Sequence, residues 1–406
     1  MPIRRDPDVS GAGRDCGLVL MGGGARAAYQ VGVLSGILQL LNPGGAPGLP
    51  NPFGIVCGTS AGAINAAVLA CRADTLQQGV DSLANLWGSL HAGRVYRADA
   101  AGLLRTGLRW FAMLAAGWLF PGLRNRQPRS LLDNTPLGGL LRDTIDFRRL
   151  QQNLDDGHLQ ALAIMATSYT TGQHLAFYQS RHPIRPWQRS LRRAVPTRLG
   201  VDHLLASSSI PFVFPAQALD IDGQRSWCGD GSMRQLAPVS PAIHLGANRL
   251  IVIGTGYRDD IHPELQPADP PYPSLAQIAG HALSNIFLDS LSADVERTQR
   301  LNELLAQVPV NALKSHSLRA LRTLIITPSQ SLDEIALAYI QELPRAARAL
   351  FRVLGVSPTS GPTTGGALIS YLLFEASYTK ALIQLGRSDC LSRSDEIHAF
   401  FKEASE

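Results

Sequence analysis

The chain has 406 residues, of which 45% are apolar and only 17% charged. That balance excludes whole-chain disorder, and the composition has none of the biases of collagen, coiled coils or disulfide scaffolds. The net charge of +5 does not mark a nucleic-acid binder, because only Lys314, Lys380 and Lys402 of the 37 basic residues are lysines and the arginines are scattered rather than gathered in a block.

In chain order, the opening MPIRRDPDVSGAGRDCG has no apolar run before a cleavage site, so cytoplasmic synthesis is the expectation. Residues 16–21 form an apolar run that ends in three glycines, and 25–41 follow with helical spacing that stops in NPGGAPGLPNP. The unit recurs: 53–57 read as a strand, 58–62 as a turn and 63–72 as a helix. Two successive strand-turn-helix units predict a parallel sheet. Residues 81–122 read as helical and apolar, and 127–136 as a loop. Inside that helical stretch, 110–123 (WFAMLAAGWLFPGL) carry Trp110, Trp118 and Phe120 between Arg105, Arg109, Arg124 and Arg126. This run is too short to span a bilayer; it suits a core helix or an interfacial one. Strand-like runs return at 159–167, 174–178, 218–221 and 250–255. A polar, proline-rich stretch at 258–273 reads as a linker or surface loop, and its Asp259-Asp260 pair as solvated. The remainder is mostly helical, with one further strand at 323–327 that can join the same sheet.

Three spacings carry chemistry. Gly58-Thr59-Ser60-Ala61-Gly62 is a GxSxG between a strand and a helix, where the serine sits on a sharp turn with its hydroxyl exposed to a crevice. Gly22-Gly23-Gly24-Ala25-Arg26-Ala27 places consecutive glycines at a helix start, where free N–H groups can bind a phosphate or a developing oxyanion. Gly22, Gly24 and Ala27 also satisfy a dinucleotide-binding fingerprint, so an oxidoreductase is the rival class. That reading needs an acidic residue about 20 positions on, and residues 42–56 contain none. The five cysteines, Cys16, Cys57, Cys71, Cys228 and Cys390, have no CxxC spacing, and no zinc, calcium or other metal motif is present; a reducing compartment and no metal are expected.

Together the motifs resemble those of the patatin-like phospholipase family, which combines a GGGx[RK]G loop, a GxSxG elbow some 35 residues later and a DG[GA] motif. The third element here resembles Asp230-Gly231-Ser232, and the ASSSIPFVFPA segment at 206–216 is similar to what precedes that aspartate in bacterial members. Two positions depart: Ala27 stands for the last loop glycine, and Ser232 for the residue after Asp-Gly. The resemblance covers about residues 16–256 and implies a lipid acyl hydrolase working through a Ser60/Asp230 dyad and an acyl-serine. It also implies an oxyanion hole from Gly22, Gly23 and Gly24, with Arg26 positioning the loop or a substrate phosphate. Without it, Asp230 reads as an Asp-Gly turn and Arg26 as a solvated first-turn arginine.

An aspartate of ordinary pKa is a poor base at neutral pH, so Asp230 is expected to be desolvated or in contact with the serine. His203, His244, His262 and His281 are the candidates for a competing Ser/His/Asp triad, and His244 sits in a predicted helix. A non-catalytic lipid-binding protein is the remaining rival, and intact Ser60 and Asp230 argue against it.

The expected architecture is α/β: a three-layer sandwich with a mainly parallel central sheet, a helical insertion and a helical C-terminal extension. It divides into a tail at 1–15, an acyl hydrolase domain at 16–258 and the extension at 259–406. The expected partner is a lipid substrate, without cofactor or nucleic acid. Peripheral membrane contact through Trp110, Trp118 and Phe120 is a further expectation, and the sequence leaves the oligomeric state open.

Overall fold

Strands β1 (Cys16–Leu20), β2 (Ile55–Thr59) and β3 (Ala161–Ser168) are apolar runs buried along their whole length, as strands covered by helices on both faces must be. The computed structural model describes residues 15–97, 130–257, 275–287, 289–308, 319–353, 356 and 366–402. Residues 1–14, the 110–123 stretch with Trp110, Trp118 and Phe120, and 258–273 with Asp259, Asp260 and His262 lie outside the described residues.

The remaining strands are β4 (His174–Ser180), β5 (Gln188–Arg189), β6 (Arg192–Pro196), β7 (Gln217–Ile221), β8 (Gln224–Asp230), β9 (Arg249–Ile253) and β10 (Arg322–Ile326). The sheet runs β10-β9-β1-β2-β3-β4-β6-β5, and its first five strands are all parallel. Beyond them β4 is antiparallel to β3, and β8 pairs antiparallel with the end of β3. The architecture is thus an α/β sandwich with a mixed, mostly parallel sheet. Alternation along β1 splits the core in two. Leu18 and Leu20 face a large cluster under helices Ala28–Leu41 and Ala61–Ala70, while Val19 and Met21 face a smaller one under helices Ser240–Leu245 and Asp289–Ala306.

The C-terminal residues complete the larger cluster. Helix Ala376–Ser392 crosses helix Ala28–Leu41 at backbone contact distance: a Cβ on Gly386 would strike the Tyr29 carbonyl, and one on Gly32 the Ile383 carbonyl. Tyr29 donates its hydroxyl to Asp389 at 3.0 Å, and Asp389 also accepts from Ser329. Strand β10, anticipated at 323–327, extends the same sheet beside β9.

Some elements depart from expectation. The elbow strand ends at Thr59 rather than residue 57, so Gly58 belongs to the strand. The helical run expected from 81 begins at Leu76 and breaks after Gly88, and a helix opens at Thr135 inside the expected loop. Strands β5, β6 and β8 were not anticipated, because QRSWCGD and its like are polar and take their order from neighbours. A signal for β8 was present: Asp222 and Gly223 join β7 to β8 with both φ values positive, 55° and 77°, the two-residue hairpin loop that Asp-Gly favours.

The helix crossing gives a test. Gly386→Leu should lower unfolding stability by roughly 1–3 kcal/mol or more, since backbone cannot yield as a side-chain tip can. Gly44→Ala, with nothing within 4 Å, should stay within about 0.5 kcal/mol of wild type in the same urea titration.

Candidate active site

The carboxyl ends of β1, β2 and β3 lie side by side, and a functional segment leaves each of the first two. After β2 the chain turns into helix Ala61–Ala70 through Ser60, at φ 55° and ψ −129°. Such a backbone costs a non-glycine residue on the order of 1–3 kcal/mol, so the surroundings must hold it. Gly58 and Gly62 allow this: a Cβ on Gly62 would enter the Leu20 and Met21 carbonyls, and one on Gly58 would sit 2.5 Å from the Gly62 oxygen. The Ser60 N–H donates to Ser207 Oγ at 2.8 Å, and Gln235 Nε2 donates to Thr59 Oγ1 at 2.8 Å. Ser60 itself is 1% exposed.

Asp230 ends β8, opposite Ala166 of β3. Its N–H donates to the Ser209 carbonyl at 3.0 Å, and its Oδ1 accepts from the Ser232 N–H at 2.9 Å. Oδ2 is buried and makes no hydrogen bond of good geometry. Complete burial pushes the Asp230 pKa up to about 6, while the neighbouring Ser60 hydroxyl and Ser232 pull it back. The structure therefore brings Ser60 and Asp230 together. One segment holds both, with the Ser207 hydroxyl on the Ser60 amide and the Ser209 carbonyl on the Asp230 amide.

The glycine segment follows β1. Thr255 Oγ1 donates to the Gly22 carbonyl at 2.6 Å, and Arg26 N–H to the Gly23 carbonyl at 3.1 Å. In a trans peptide the next N–H points opposite to the carbonyl, so the Gly23 and Gly24 amides are turned away from those partners. Gly24 has φ +55° and no room for a Cβ against the Tyr371 carbonyl. Arg26 is not the solvated first-turn residue of the plain sequence reading. It is 2% exposed and points into the C-terminal helices, donating to Ser370 Oγ at 2.7 Å, pairing with Asp333 and lying 3.9 Å over the Tyr371 ring. Those contacts hold the loop and leave the guanidinium away from the Ser60 cavity.

That cavity reaches Gly24, Ser60 and Ala61. Its walls are leucine, isoleucine, valine and aromatic side chains; among the described residues Ser60 and Ser208 bring the only side-chain hydroxyls to the lining, and the Ser208 hydroxyl is buried without a partner. Trp87 in its wall donates to Asn65 Oδ1 at 2.7 Å, Asn65 donates to Gln30 Oε1 at 2.9 Å, and Gln30 donates to the Met21 carbonyl at 2.7 Å. This buried chain ties the cavity wall to the root of the glycine segment. Sequence reading missed Ser207, Ser209, Gln235, Asn65 and Gln30; only the triple serine within 206–216 offered a visible signal.

No histidine among the described residues lines the cavity. The His203 ring accepts from Gly200 N–H and lies edge-on to Phe177, and His244 stacks on Trp187 at 4.8 Å on the far side of the sheet. His281 lies on helix Leu275–Phe287, and also outside the cavity. Among the described residues no three metal-ligating side chains converge, and no helix is long and apolar enough to cross a membrane.

A mostly parallel sheet, an elbow serine lining an apolar cavity and the match to a phospholipase family together mark a lipid acyl hydrolase of the α/β class. The patatin-like phospholipase family matches residues 18–243, more than half of the chain, and the chain belongs to that family. The crystal structure of VipD from Legionella pneumophila aligns over 91% of this chain and 67% of its own, at 13% identity and a TM-score of 0.31. No curated protein matches the chain.

The Ser207 contact can be tested by urea unfolding. Ser207→Ala orphans the buried Ser60 amide and should cost about 1–3 kcal/mol. A cost below about 0.3 kcal/mol would mean that the elbow is held without it.

Proposed function

We propose that the protein hydrolyses fatty-acyl esters of lipids, with Ser60 as nucleophile and Asp230 as the base. The observation that carries this reading is the wholly buried Asp230 carboxyl beside Ser60, its Oδ2 uncommitted and its pKa near 6, within reach of neutral pH. Ser60 Oγ attacks the ester carbonyl as Asp230 takes its proton. The oxyanion forms against the outward-turned N–H groups of Gly23 and Gly24. Asp230 then returns the proton to the departing alcohol, leaving acyl-Ser60. Water repeats the cycle in reverse roles and releases the fatty acid.

The apolar cavity supports an acyl chain as the recognised part of the substrate, since hydrocarbon buried there gains about 25 cal/mol per Å². Arg26 is a positioning residue for the glycine loop in this scheme, and no cofactor enters it. Peripheral contact with the membrane through Trp110, Trp118 and Phe120 belongs to the proposal on sequence grounds.

A fluorophosphonate probe should label the protein on Ser60, as read by peptide mass spectrometry, and Ser60→Ala should abolish labelling. Equal labelling of that variant overturns the nucleophile assignment.

Asp230 ties activity to stability. Its folded pKa of about 6 lies above the ordinary 3.8, so the folded state binds this proton more tightly than the unfolded chain. The stability that the neutral carboxyl contributes is complete below pH ~4 and lost as pH rises through about 6. Catalysis needs the ionised form, so kcat should rise over the same interval. Asp230→Asn should therefore eliminate turnover and raise unfolding stability at pH 7.5 by up to about 3 kcal/mol. A variant that keeps activity, or loses stability, contradicts the assignment.

A further inference from the structure

On the face of the sheet opposite the cavity at Ser60 lies a second, smaller pocket, between β4, the β5–β6 hairpin and the start of helix Ser240–Leu245. Its polar lining is His174, Arg189, Arg192, Arg193 and Ser240, and no acidic side chain among the described residues lines it. Arg189 and Arg192 are direct cross-strand partners in the hairpin. Like charges in that register repel, and a sheet ordinarily avoids the pairing. Arg193 is neutralised by Asp222, but Arg189 and Arg192 take part in no salt bridge among the described residues. Asp294 is the carboxylate that feels Arg192, and its own oxygen is taken by the Val239 N–H at 3.1 Å. At the inner end, His174 is 4% exposed and its Nε2 is buried with no hydrogen-bond partner.

We infer that this cavity binds a phosphate-bearing anion, held by Arg189 and Arg192 at its mouth and by His174 Nε2 and the Ser240 hydroxyl within. Two guanidinium groups, a ring nitrogen and a hydroxyl brought to one pocket offer several donors, which suits the multiple oxygens of a phosphate. An anion there removes the Arg189–Arg192 repulsion and satisfies the orphaned nitrogen. Burial and Arg192 push the His174 pKa down to about 4 in the empty pocket, and an anion beside Nε2 favours the protonated ring, in which both nitrogens donate. The ring also interacts with the Gly231 backbone, next to Asp230, so an occupied site abuts the carboxylate turn of the first cavity. The same phosphate chemistry has two sources, a phosphomonoester lipid headgroup and a free phosphate.

The test uses the full chain carrying Ser60→Ala, so that no lipid is consumed. Isothermal calorimetry with inorganic phosphate should give saturable binding, weakened at least about tenfold by Arg192→Gln and by His174→Asn, since a hydrogen bond to a charged group is worth about that factor. Arg189→Gln removes an exposed side chain, cannot prevent folding, and should weaken binding too. Arg225→Gln, on the exposed β7–β8 hairpin, should leave it unchanged. In flotation assays, recruitment to phosphatidylcholine vesicles containing phosphatidate, but not to phosphatidylcholine alone, that Arg189→Gln and Arg192→Gln abolish supports a headgroup as occupant. Calorimetric binding without such recruitment supports a free phosphate. Absence of saturable phosphate binding, or binding that Arg189→Gln and Arg192→Gln leave unaltered, overturns the inference.

Discussion

Ser60 occupies a backbone conformation that it would not adopt alone, and the active-site end of the molecule is organised to keep it there. The turn closes because Gly58 and Gly62 let the helix start press against the end of β2 and the carbonyls of Leu20 and Met21. The register of β1 against β2 is thereby linked to the serine's position: moving β1 would remove the wall on which Gly62 rests. The Ser207 hydroxyl and the Gln235 amide close the remaining sides with hydrogen bonds to neighbouring residues of the same turn.

Asp230 carries a second cost, desolvation. A carboxyl group with one oxygen bonded and the other orphaned is an unfavourable thing to bury. The site stores both burdens within one cluster, and the two cores on either face of the sheet offset them. That division is usual where function demands local strain: the scaffold is over-determined so that a few residues can be poorly satisfied.

The C-terminal residues bear on the site although the family match ends at residue 243. Gly24 rests on the Tyr371 carbonyl, and Arg26 is clamped by Asp333, Ser370 and the Tyr371 ring. Phe374 lines the apolar cavity at Ser60 directly. The glycine segment is therefore positioned from β1 on one side and from helix Gly366–Leu372 on the other. A loop rich in glycine has high conformational entropy when free, so this two-sided support is what makes its amides a preorganised feature.

Local spacing determined much about this chain. The β1 and β2 units, the parallel sheet and the sharp turn at Ser60 follow from apolar runs broken by glycines, because backbone sterics act over a few residues. Seven of the strands were visible for the same reason, whereas β8 was hidden in a polar run whose order comes from pairing with β3 and β7. Asp230 could be named by resemblance, yet its burial, its free Oδ2 and its raised pKa depend on what surrounds it, and those neighbours come from residues 60, 209 and 232. Arg26 shows the same limit: one sequence position admitted a solvated or a buried residue, and helices more than 300 positions away decided between them. Desolvation and long-range hydrogen bonding depend on distances in space, which spacing along the chain does not encode until the sheet and its covering helices have closed around the site.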